Sequence, residues 1–173
     1  MRGSIGFVDG GADFSHVAVI VDQVMRNAHG IQDRLDDAHA LGLALGRPDR
    51  RIICLQGDGS LLMNLGCLVT IAAVQPKNLI HFVVQNGAYE ANGGHPIPNT
   101  AVDFAAMARG AGYVQVHAFS DLANFAQQAG HVIKQDGPVF ATLHVEPSKP
   151  LTYDYPNLYD AGRRAALKAA LQQ

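Results

Sequence analysis

The short stretch Gly57-Asp58-Gly59-Ser60 constrains the fold of this chain more than any other feature. It follows an apolar run at positions 51–56 that is typical of a buried strand, and it precedes a run at positions 61–66 that is typical of a helix start. Two glycines at such a junction allow a sharp turn and the close approach of a ligand. Because the free N–H groups of a helix start favour an anion, we expect a phosphate-binding turn.

Asp58 changes this simple expectation, because a carboxylate repels a phosphate unless a cation lies between them. A hard divalent cation such as Mg²⁺ takes one or two protein oxygen ligands together with phosphate oxygens. Asp58, a phosphate and Mg²⁺ therefore form a consistent set. The alternative is that Asp58 only caps the following helix.

A second apolar run, at positions 79–84, ends in Gln85-Asn86-Gly87-Ala88-Tyr89. Ligands of open parallel sheets bind beyond the carboxyl ends of the strands. If the two strands are neighbours, Asp58 and Asn86 lie at the same edge, and Asn86 can offer a neutral oxygen to the same metal. Gly87 then lets the chain bend so that a backbone carbonyl joins them.

Strands and helices alternate along the rest of the chain. This pattern predicts an α/β fold of three layers, in which a doubly wound parallel sheet carries helices on both faces. The predicted strands are 51–56, 79–85, 113–118 and 139–145. The predicted helices are 31–45, 61–74, 101–111, one that Ser120 or Asp121 caps and that runs to Lys134, and 157–171. Residues 16–21 fit either a strand or the start of a helix that runs to about 27, and the spacing of their apolar residues favours the helix.

The length of 173 residues is typical of one domain, and we expect a single domain over 1–173. Residues 1–15 are expected to be irregular, and residues 148–173 to form a C-terminal extension with a helix. The loop from Gly87 to Thr100 is long for a connection in a compact domain. Long ordered loops are usually functional, so its histidine, His95, is a candidate functional residue.

Composition excludes several other classes of protein. The net charge is −2 and no basic cluster is present, so neither nucleic acid nor a membrane surface is an expected partner. No apolar stretch of membrane-spanning length is present, and the N-terminus does not resemble a signal peptide, so we expect a cytoplasmic protein. Cys54 and Cys67 are expected to be reduced, apolar residues, and two cysteines alone cannot hold an iron–sulfur cluster.

The spacing of Gly57-Asp58-Gly59, then 26 residues, then Asn86 resembles the diphosphate-binding motif of thiamine diphosphate (ThDP) enzymes. The longer run at positions 57–66, with Gly93-Gly94-His95-Pro96 further on, resembles the small β-type subunits of sulfopyruvate and phosphonopyruvate decarboxylases. The resemblance covers roughly residues 38–147.

The resemblance implies specific roles for the matching residues. The metal ligands would be Asp58, Asn86 and the backbone carbonyl of Ala88. The remaining cofactor contacts would come from the other residues of the two motifs, which are Gly57, Gly59, Ser60 and Tyr89. His95 would be a catalytic residue that shuttles a proton or faces the substrate.

The sequence departs from the family pattern at three places. Gln85-Asn86 stands where the family often has two asparagines, and Glu90 stands where glycine is common. The stretch of small residues that usually precedes the motif strand is replaced by residues 29–34. There Ile31 would be the bulky residue beneath the cofactor and His29 a diphosphate donor, while the alternative is an ordinary polar turn and helix start.

The resemblance implies a ThDP- and Mg²⁺-dependent carboxy-lyase that decarboxylates a small anionic 2-oxo acid. In the family, a pyrimidine-binding domain supplies the glutamate that activates the cofactor, and no glutamate here has a matching context. We therefore expect a pyrimidine-binding α-type partner subunit and a heteromer of even order. The alternatives are a subunit of another ThDP enzyme (a 2-oxo acid oxidoreductase, a dehydrogenase or an acetolactate synthase-like enzyme) or a non-catalytic cofactor-binding domain.

Overall fold

The computed structural model describes residues 17–21, 36–90 and 94–147, together with the helical positions 162, 165, 168 and 169. The strands are β1 (Val17–Val21), β2 (Arg51–Gly57), β3 (Leu79–Gln85), β4 (Ala88–Tyr89), β5 (His95–Pro96), β6 (Gln115–Phe119) and β7 (Val139–His144). The helices are α1 (Asp36–Gly46), α2 (Asp58–Met63), α3 (Cys67–Val74), α4 (Phe104–Ala111) and α5 (Leu122–Lys134).

Five of the strands form a parallel sheet in the order β1-β2-β3-β7-β6, and β4 and β5 form a separate antiparallel pair. A parallel sheet needs crossover connections, and the alternating helices supply them. Because all five strands run the same way, their carboxyl ends lie at one edge of the sheet. The predicted α/β class and parallel sheet are confirmed.

Side chains alternate between the two faces of each strand, and each face has its own core. On β2, Ile52 and Cys54 belong to the larger core, which also contains residues of α1, α3 and α4. Ile53 and Leu55 point to the smaller core, which includes Val132 of α5. Helices therefore cover both faces of the sheet, as expected for a three-layer α/β fold.

The helix predicted over 16–27 is wrong where the structure describes it, because residues 17–21 form β1. Four of these five residues are β-branched, which favours extended backbone. Their backbone pairs in parallel with β2, with Val19 opposite Ile53. The spacing of Val17, Ile20 and Val21 fits a helix, but periodicity alone does not separate a short apolar strand from a helix turn. The remainder of the predicted helix lies outside the described residues.

The helix predicted over 61–74 is two helices, and the first begins earlier than expected, at Asp58. The break falls at 64–66, where asparagine and glycine both have low helix propensity. Asn64 ends α2 with its N–H bonded to the Leu61 carbonyl, and Cys67 N–H then bonds to the Asn64 carbonyl. The motif turn therefore leads into a short, separate helix.

Other boundaries differ by a few residues. Helix α4 begins at Phe104 rather than 101, because the Asp103 carboxylate caps it and accepts from Ala106 N–H at 2.8 Å. Asp121, one of the two predicted caps, accepts from Asn124 N–H at 2.8 Å and starts α5. Strand β6 covers Gln115–Phe119 rather than 113–118.

The predicted loop from Gly87 to Thr100 is not wholly irregular, because it contains the β4–β5 pair. The helix predicted from position 31 is seen from Asp36, and residues 31–35 lie outside the described part. Positions 162, 165, 168 and 169 are helical, within the predicted 157–171 helix, and the rest of that range is not described. The predicted irregular residues 1–15 also lie outside it.

Cys54 and Cys67 are both buried, which suits apolar residues, and no disulfide joins them in the described part of the chain. Over the residues that the structure describes, the helices are all too short or too polar to cross a membrane.

Candidate functional site

The carboxyl ends of β2 and β3 meet at one edge of the sheet, as predicted from the two motif strands. Gly57, the last residue of β2, lies opposite Val84 of β3. Asp58 therefore follows directly at the edge, and Asn86 follows one residue beyond the end of β3. The structure thus brings the two sequence motifs together.

The Asp58 carboxylate joins the two motifs. One oxygen, Oδ1, accepts from the Gly59 N–H at 2.8 Å, and the other, Oδ2, accepts from the Gly87 N–H at 2.8 Å. Gly57 occupies the cap position of α2, and no side-chain cap bond is present there. The alternative that Asp58 is only a helix cap does not describe this arrangement, because the carboxylate links α2 to the chain after β3.

Burial raises the pKa of the Asp58 carboxyl above its ordinary value, and backbone N–H groups of Gly87, Gly59 and Asn86 oppose that rise. The side chain is fully buried. None of the ion pairs seen within the described residues includes Asp58. A buried anion in this situation is stabilised by a nearby cation, which favours a metal ion here.

The segment Asn86-Gly87-Ala88 forms a tight turn around the Asn86 side chain. Asn86 Oδ1 accepts from Ala88 N–H at 2.9 Å, and Gly87 adopts a positive φ of 73°. Glycine suits this backbone conformation because it has no Cβ. The Gly87 carbonyl accepts a hydrogen bond from Ile97 N–H at 3.0 Å. This bond holds the turn against the end of β5.

The Ala88 carbonyl is suited to a role as metal ligand. Ala88 and Pro96 lie opposite each other as a non-hydrogen-bonded pair, since Ile97 N–H donates to the Gly87 carbonyl. The Ala88 carbonyl therefore points away from β5 and is not used in the β4–β5 pair. Asp58, Asn86 and this carbonyl are all oxygen donors, the type that Mg²⁺ prefers. The described residues contain no group of three or more His, Cys, Asp or Glu that could hold a metal, which is compatible with a set that has one carboxylate. The residues present therefore fit Mg²⁺.

Tyr89 packs directly on Gly59. A Cβ atom placed on Gly59 would lie 2.5 Å from Tyr89 Cδ1 and 2.9 Å from Cε1, closer than atoms can approach. Gly59 is therefore needed for the ring to lie over the start of α2. This contact fixes strand β4 against the motif turn, in addition to the Asp58–Gly87 hydrogen bond.

The other predicted site residues are placed as follows. Ser60 is half-buried in the first turn of α2. His95 is exposed on β5, opposite Tyr89 across the two-stranded pair. Glu90 follows Tyr89 at the end of the hairpin strand, and Ile31 and His29 lie outside the described residues.

Two residues at this edge were not predicted as site residues. Strand β7 lies beside β3, and His144 is opposite Gln85 at the carboxyl end. The Gln85 side chain donates to the Val102 carbonyl at 3.1 Å and anchors the approach to α4. Only the pairing of β3 with β7 reveals this placement, because the two strands are more than fifty residues apart in the chain.

Comparisons with known proteins give a consistent result. Residues 37–143 match the family model described as thiamine pyrophosphate enzyme, C-terminal TPP binding domain. The β subunit of sulfopyruvate decarboxylase from Methanothermobacter thermautotrophicus is 45% identical over 107 residues, which are 62% of this chain and 55% of that protein. Phosphonopyruvate decarboxylase from Streptomyces viridochromogenes is 39% identical over 107 residues, which are 62% of this chain and 27% of that protein.

The fold matches solved structures as well. Benzoylformate decarboxylase from Polynucleobacter necessarius superposes with a TM-score of 0.61 and 21% identity, over 70% of this chain and 25% of that one. At this identity the likeness concerns the fold alone. The matched region spans only about half of the archaeal β subunit and about a quarter of the Streptomyces enzyme.

Proposed function

Since this chain belongs to the thiamine pyrophosphate enzymes, through their C-terminal TPP-binding domain, we propose that it is one subunit of a two-subunit 2-oxo acid decarboxylase. It binds the diphosphate of ThDP through Mg²⁺. The favoured substrates are sulfopyruvate and phosphonopyruvate, small 2-oxo acids with a second anionic group. Relatives named for both decarboxylases, at 45% and 39% identity, support this choice.

One observation carries the proposal, and it is the bridge that the buried Asp58 carboxylate makes to Gly87, beside Asn86 and Ala88. Asp58, Asn86 and the Ala88 carbonyl hold Mg²⁺. The backbone of the motif turn binds the diphosphate, with the Ser60 hydroxyl as a further donor. Further cofactor contacts come from Gly57, Gly59, Tyr89 and Ile31.

When bound, the thiazolium ring of the cofactor supplies the electron sink for loss of CO₂ from a 2-oxo acid. The chain itself binds and orients the cofactor. His95 lies on β5, which pairs with β4 next to the motif turn, and it faces the substrate from that side. This role for His95 is supported by its position beside Tyr89, whose ring covers Gly59.

A pyrimidine-binding α-type subunit completes the site and supplies the glutamate that activates the cofactor. Several relatives are named as subunit β of sulfopyruvate decarboxylase, and such a name supports a second kind of subunit. The two subunits would assemble with even order, so that each cofactor lies at an interface between them.

Calorimetric titration of the chain, assembled with a pyrimidine-binding subunit, with ThDP in the presence of Mg²⁺ tests the cofactor assignment. The Asp58→Asn variant removes one charge and is expected to weaken binding by at least about 100-fold, because a charge-assisted ligand to a hard cation is lost. Asp121→Asn is the matched control, since asparagine also caps a helix and Asp121 lies on α5. Equal affinity of Asp58→Asn and wild type would remove Asp58 from the metal site.

The reaction is tested separately, with the chain co-purified with a pyrimidine-binding subunit. We expect CO₂ release from sulfopyruvate or phosphonopyruvate and formation of the corresponding aldehyde. Release of acetolactate from pyruvate would instead indicate an acetolactate synthase-like enzyme. If the chain binds ThDP normally but yields no product with any partner, it is a cofactor-binding domain without this activity.

A further inference from the structure

The charged residues of the described chain are unevenly distributed between the two edges of the sheet. Over residues 36–147, as far as the structure describes them, lysine and arginine lie near the amino ends of the strands or in the last turns of helices that lead there. They are Arg47, Arg50, Arg51, Lys77, Arg109 and Lys134. Of these, Arg109 reaches back along α4 to within 3.9 Å of the Asp103 carboxylate.

The opposite, carboxyl edge carries acidic groups. Asp58 follows β2, Glu90 follows β4 and Glu146 follows β7. A substrate with a sulfonate or phosphonate group would meet unfavourable charge at this edge unless a donor is provided. Among the described strand residues at this edge, His95 and His144 are the two whose side chains can both donate an N–H and carry positive charge.

Of these two histidines, His144 is the one that lies in the row formed by the strand ends of the main sheet. It lies opposite Gln85 at the end of β3, and Val145 N–H donates to the Gln85 carbonyl at 3.1 Å. The next residue after Gln85 is Asn86. Since neighbouring strands are about 5 Å apart, His144 is about 10 Å from the end of β2, where Asp58 lies. Its ring is exposed.

A second observation shows that this end of the sheet face is polar. Thr142, two residues before His144 and therefore on the same face of β7, has a buried Oγ1 without a hydrogen-bond partner. Gln56 of β2 is in the same lateral row, since both residues lie opposite Val83. Its buried Nε2 is also without a partner in the described structure. Most buried polar atoms in proteins have a hydrogen-bond partner, so two without one in the same row mark this end of the sheet face as unusually polar.

We propose that His144 binds the second anionic group of the substrate, donating an imidazole N–H to a sulfonate or phosphonate oxygen. This assignment rests on the proposed function. It makes His144 a specificity-determining residue rather than a group that acts on the bond to CO₂. Sulfonate and phosphonate are both tetrahedral oxyanions. A comparison of the two substrates shows which of these groups His144 binds.

The first test compares steady-state kinetics of the assembled enzyme with those of its His144→Ala variant, which removes the N–H donor. We expect KM for sulfopyruvate, for phosphonopyruvate or for both to rise about tenfold, the effect of one lost hydrogen bond to a charged group, with kcat nearly unchanged. KM for pyruvate, which has no second anion, should change little. The control His131→Ala removes an exposed histidine in the last turn of α5, at the opposite edge.

The second test does not depend on turnover. The ThDP- and Mg²⁺-loaded full chain is titrated with sulfoacetate and, separately, phosphonoacetate while the histidine ring resonances are followed by NMR. The His144 signal, assigned by its loss in His144→Ala, is expected to shift saturably with at least one of the two probes. The His131 signal should not follow that curve.

The outcomes separate this inference from the proposed function. Decarboxylation with equal KM changes for pyruvate and the dianionic substrates, or with no change, would overturn the role of His144. If no 2-oxo acid is decarboxylated, the proposed function is wrong, and the NMR titration decides alone. A saturable shift then supports an oxyanion-binding site at His144, and the absence of a shift shows that no such site is present there.

Discussion

The Asp58 carboxylate accepts a hydrogen bond from the Gly87 backbone N–H at 2.8 Å, across 29 positions of sequence. The other oxygen of this carboxylate accepts a hydrogen bond from Gly59 N–H at the same distance. The ends of β2 and β3 are therefore tied by one buried side chain. This connection preforms the turn at 86–88, so the proposed metal site would require little ordering of the backbone on binding.

Replacing Asp58 by alanine should loosen this turn even without cofactor. Two N–H groups, the buried one of Gly59 and the half-buried one of Gly87, would lose their acceptor, at a cost of about 1–3 kcal/mol each at most in local stability. We expect amide hydrogen exchange at both positions to accelerate about 10-fold or more.

Asp103→Ala is the control, because it removes one exposed carboxylate that caps α4. Faster exchange in that variant should be confined to the first turn of α4. Unchanged protection of Gly59 and Gly87 in Asp58→Ala would show that the two hydrogen bonds do not hold the turn.

A methyl group at position 59 should disturb the site through Tyr89. The added Cβ would lie 2.5 Å from the Tyr89 ring, so either the ring or α2 has to move. We expect Gly59→Ala to lower the free energy of unfolding by about 1–3 kcal/mol, as other overpacking changes do, and to weaken ThDP binding.

A double-mutant cycle isolates the contact. In a Tyr89→Ala background, Gly59→Ala should cost much less, and the difference is the coupling energy of the pair. Gly66→Ala serves as a control, since nothing lies within 4 Å of a Cβ placed there. Additive effects of the two substitutions would contradict the steric explanation.

Local patterns were sufficient for much of this fold. Turn residues and apolar runs marked β2, β3, β7 and α5 to within one or two residues, because each has a clear start or stop. The motif spacing also placed Asp58 and Asn86 at one edge, since consecutive parallel strands are usually neighbours. These features depend on residues that are close in sequence.

Long-range pairing was not accessible in the same way. Strand β1 was predicted as a helix because five apolar residues fit either period, and only pairing with β2 decides between them. Likewise, β7 inserts between β3 and β6, and this order brings His144 beside Gln85. The position of His144 at the end of a predicted strand does not by itself indicate a site residue, and its placement at the site edge depends on that order.

A buried neutral histidine makes the fold sensitive to acid. Burial lowers the pKa of His81 to about 3, while the unfolded chain binds the proton at about pH 6.5. Protonation therefore favours the unfolded state. The contribution of His81 to the free energy of unfolding is therefore fully present above about pH 6.5. It falls by about 1.4 kcal/mol per pH unit as the pH decreases from there.

The substitution His81→Phe tests this. Phenylalanine fits beside Phe140, whose ring centroid is 5.2 Å from that of His81, and it does not titrate. The variant leaves the Tyr113 hydroxyl without its partner at 3.2 Å, a cost of about 1 kcal/mol that does not depend on pH in this range. Urea unfolding between about pH 4 and 7 should show a shallower loss of stability in the variant, and parallel curves would contradict the assignment.

Asp37 should affect acid stability in the direction opposite to His81, because the pKa of its carboxyl is raised in the folded protein. Its side chain is buried, and burial raises the pKa above the ordinary value despite hydrogen bonds from Ala38 N–H at 2.9 Å and the Asn64 amide at 3.3 Å. The folded protein thus binds a proton more readily than the unfolded chain. Lowering the pH from neutral towards about 4 should relieve the buried charge and favour folding at this residue.

Asp37→Asn should therefore stabilise the protein at neutral pH, by on the order of 1 kcal/mol, since it removes the buried charge and keeps one acceptor oxygen. The gain should shrink as the pH falls and wild-type Asp37 becomes protonated. Asp49→Asn is the matched control, because the neighbouring Arg47 holds the pKa of that exposed carboxyl at about 2 and the substitution should not stabilise. Urea unfolding at two pH values measures both effects, and a less stable Asp37→Asn at neutral pH would mean that the ionised carboxylate contributes more through its hydrogen bonds than burial costs.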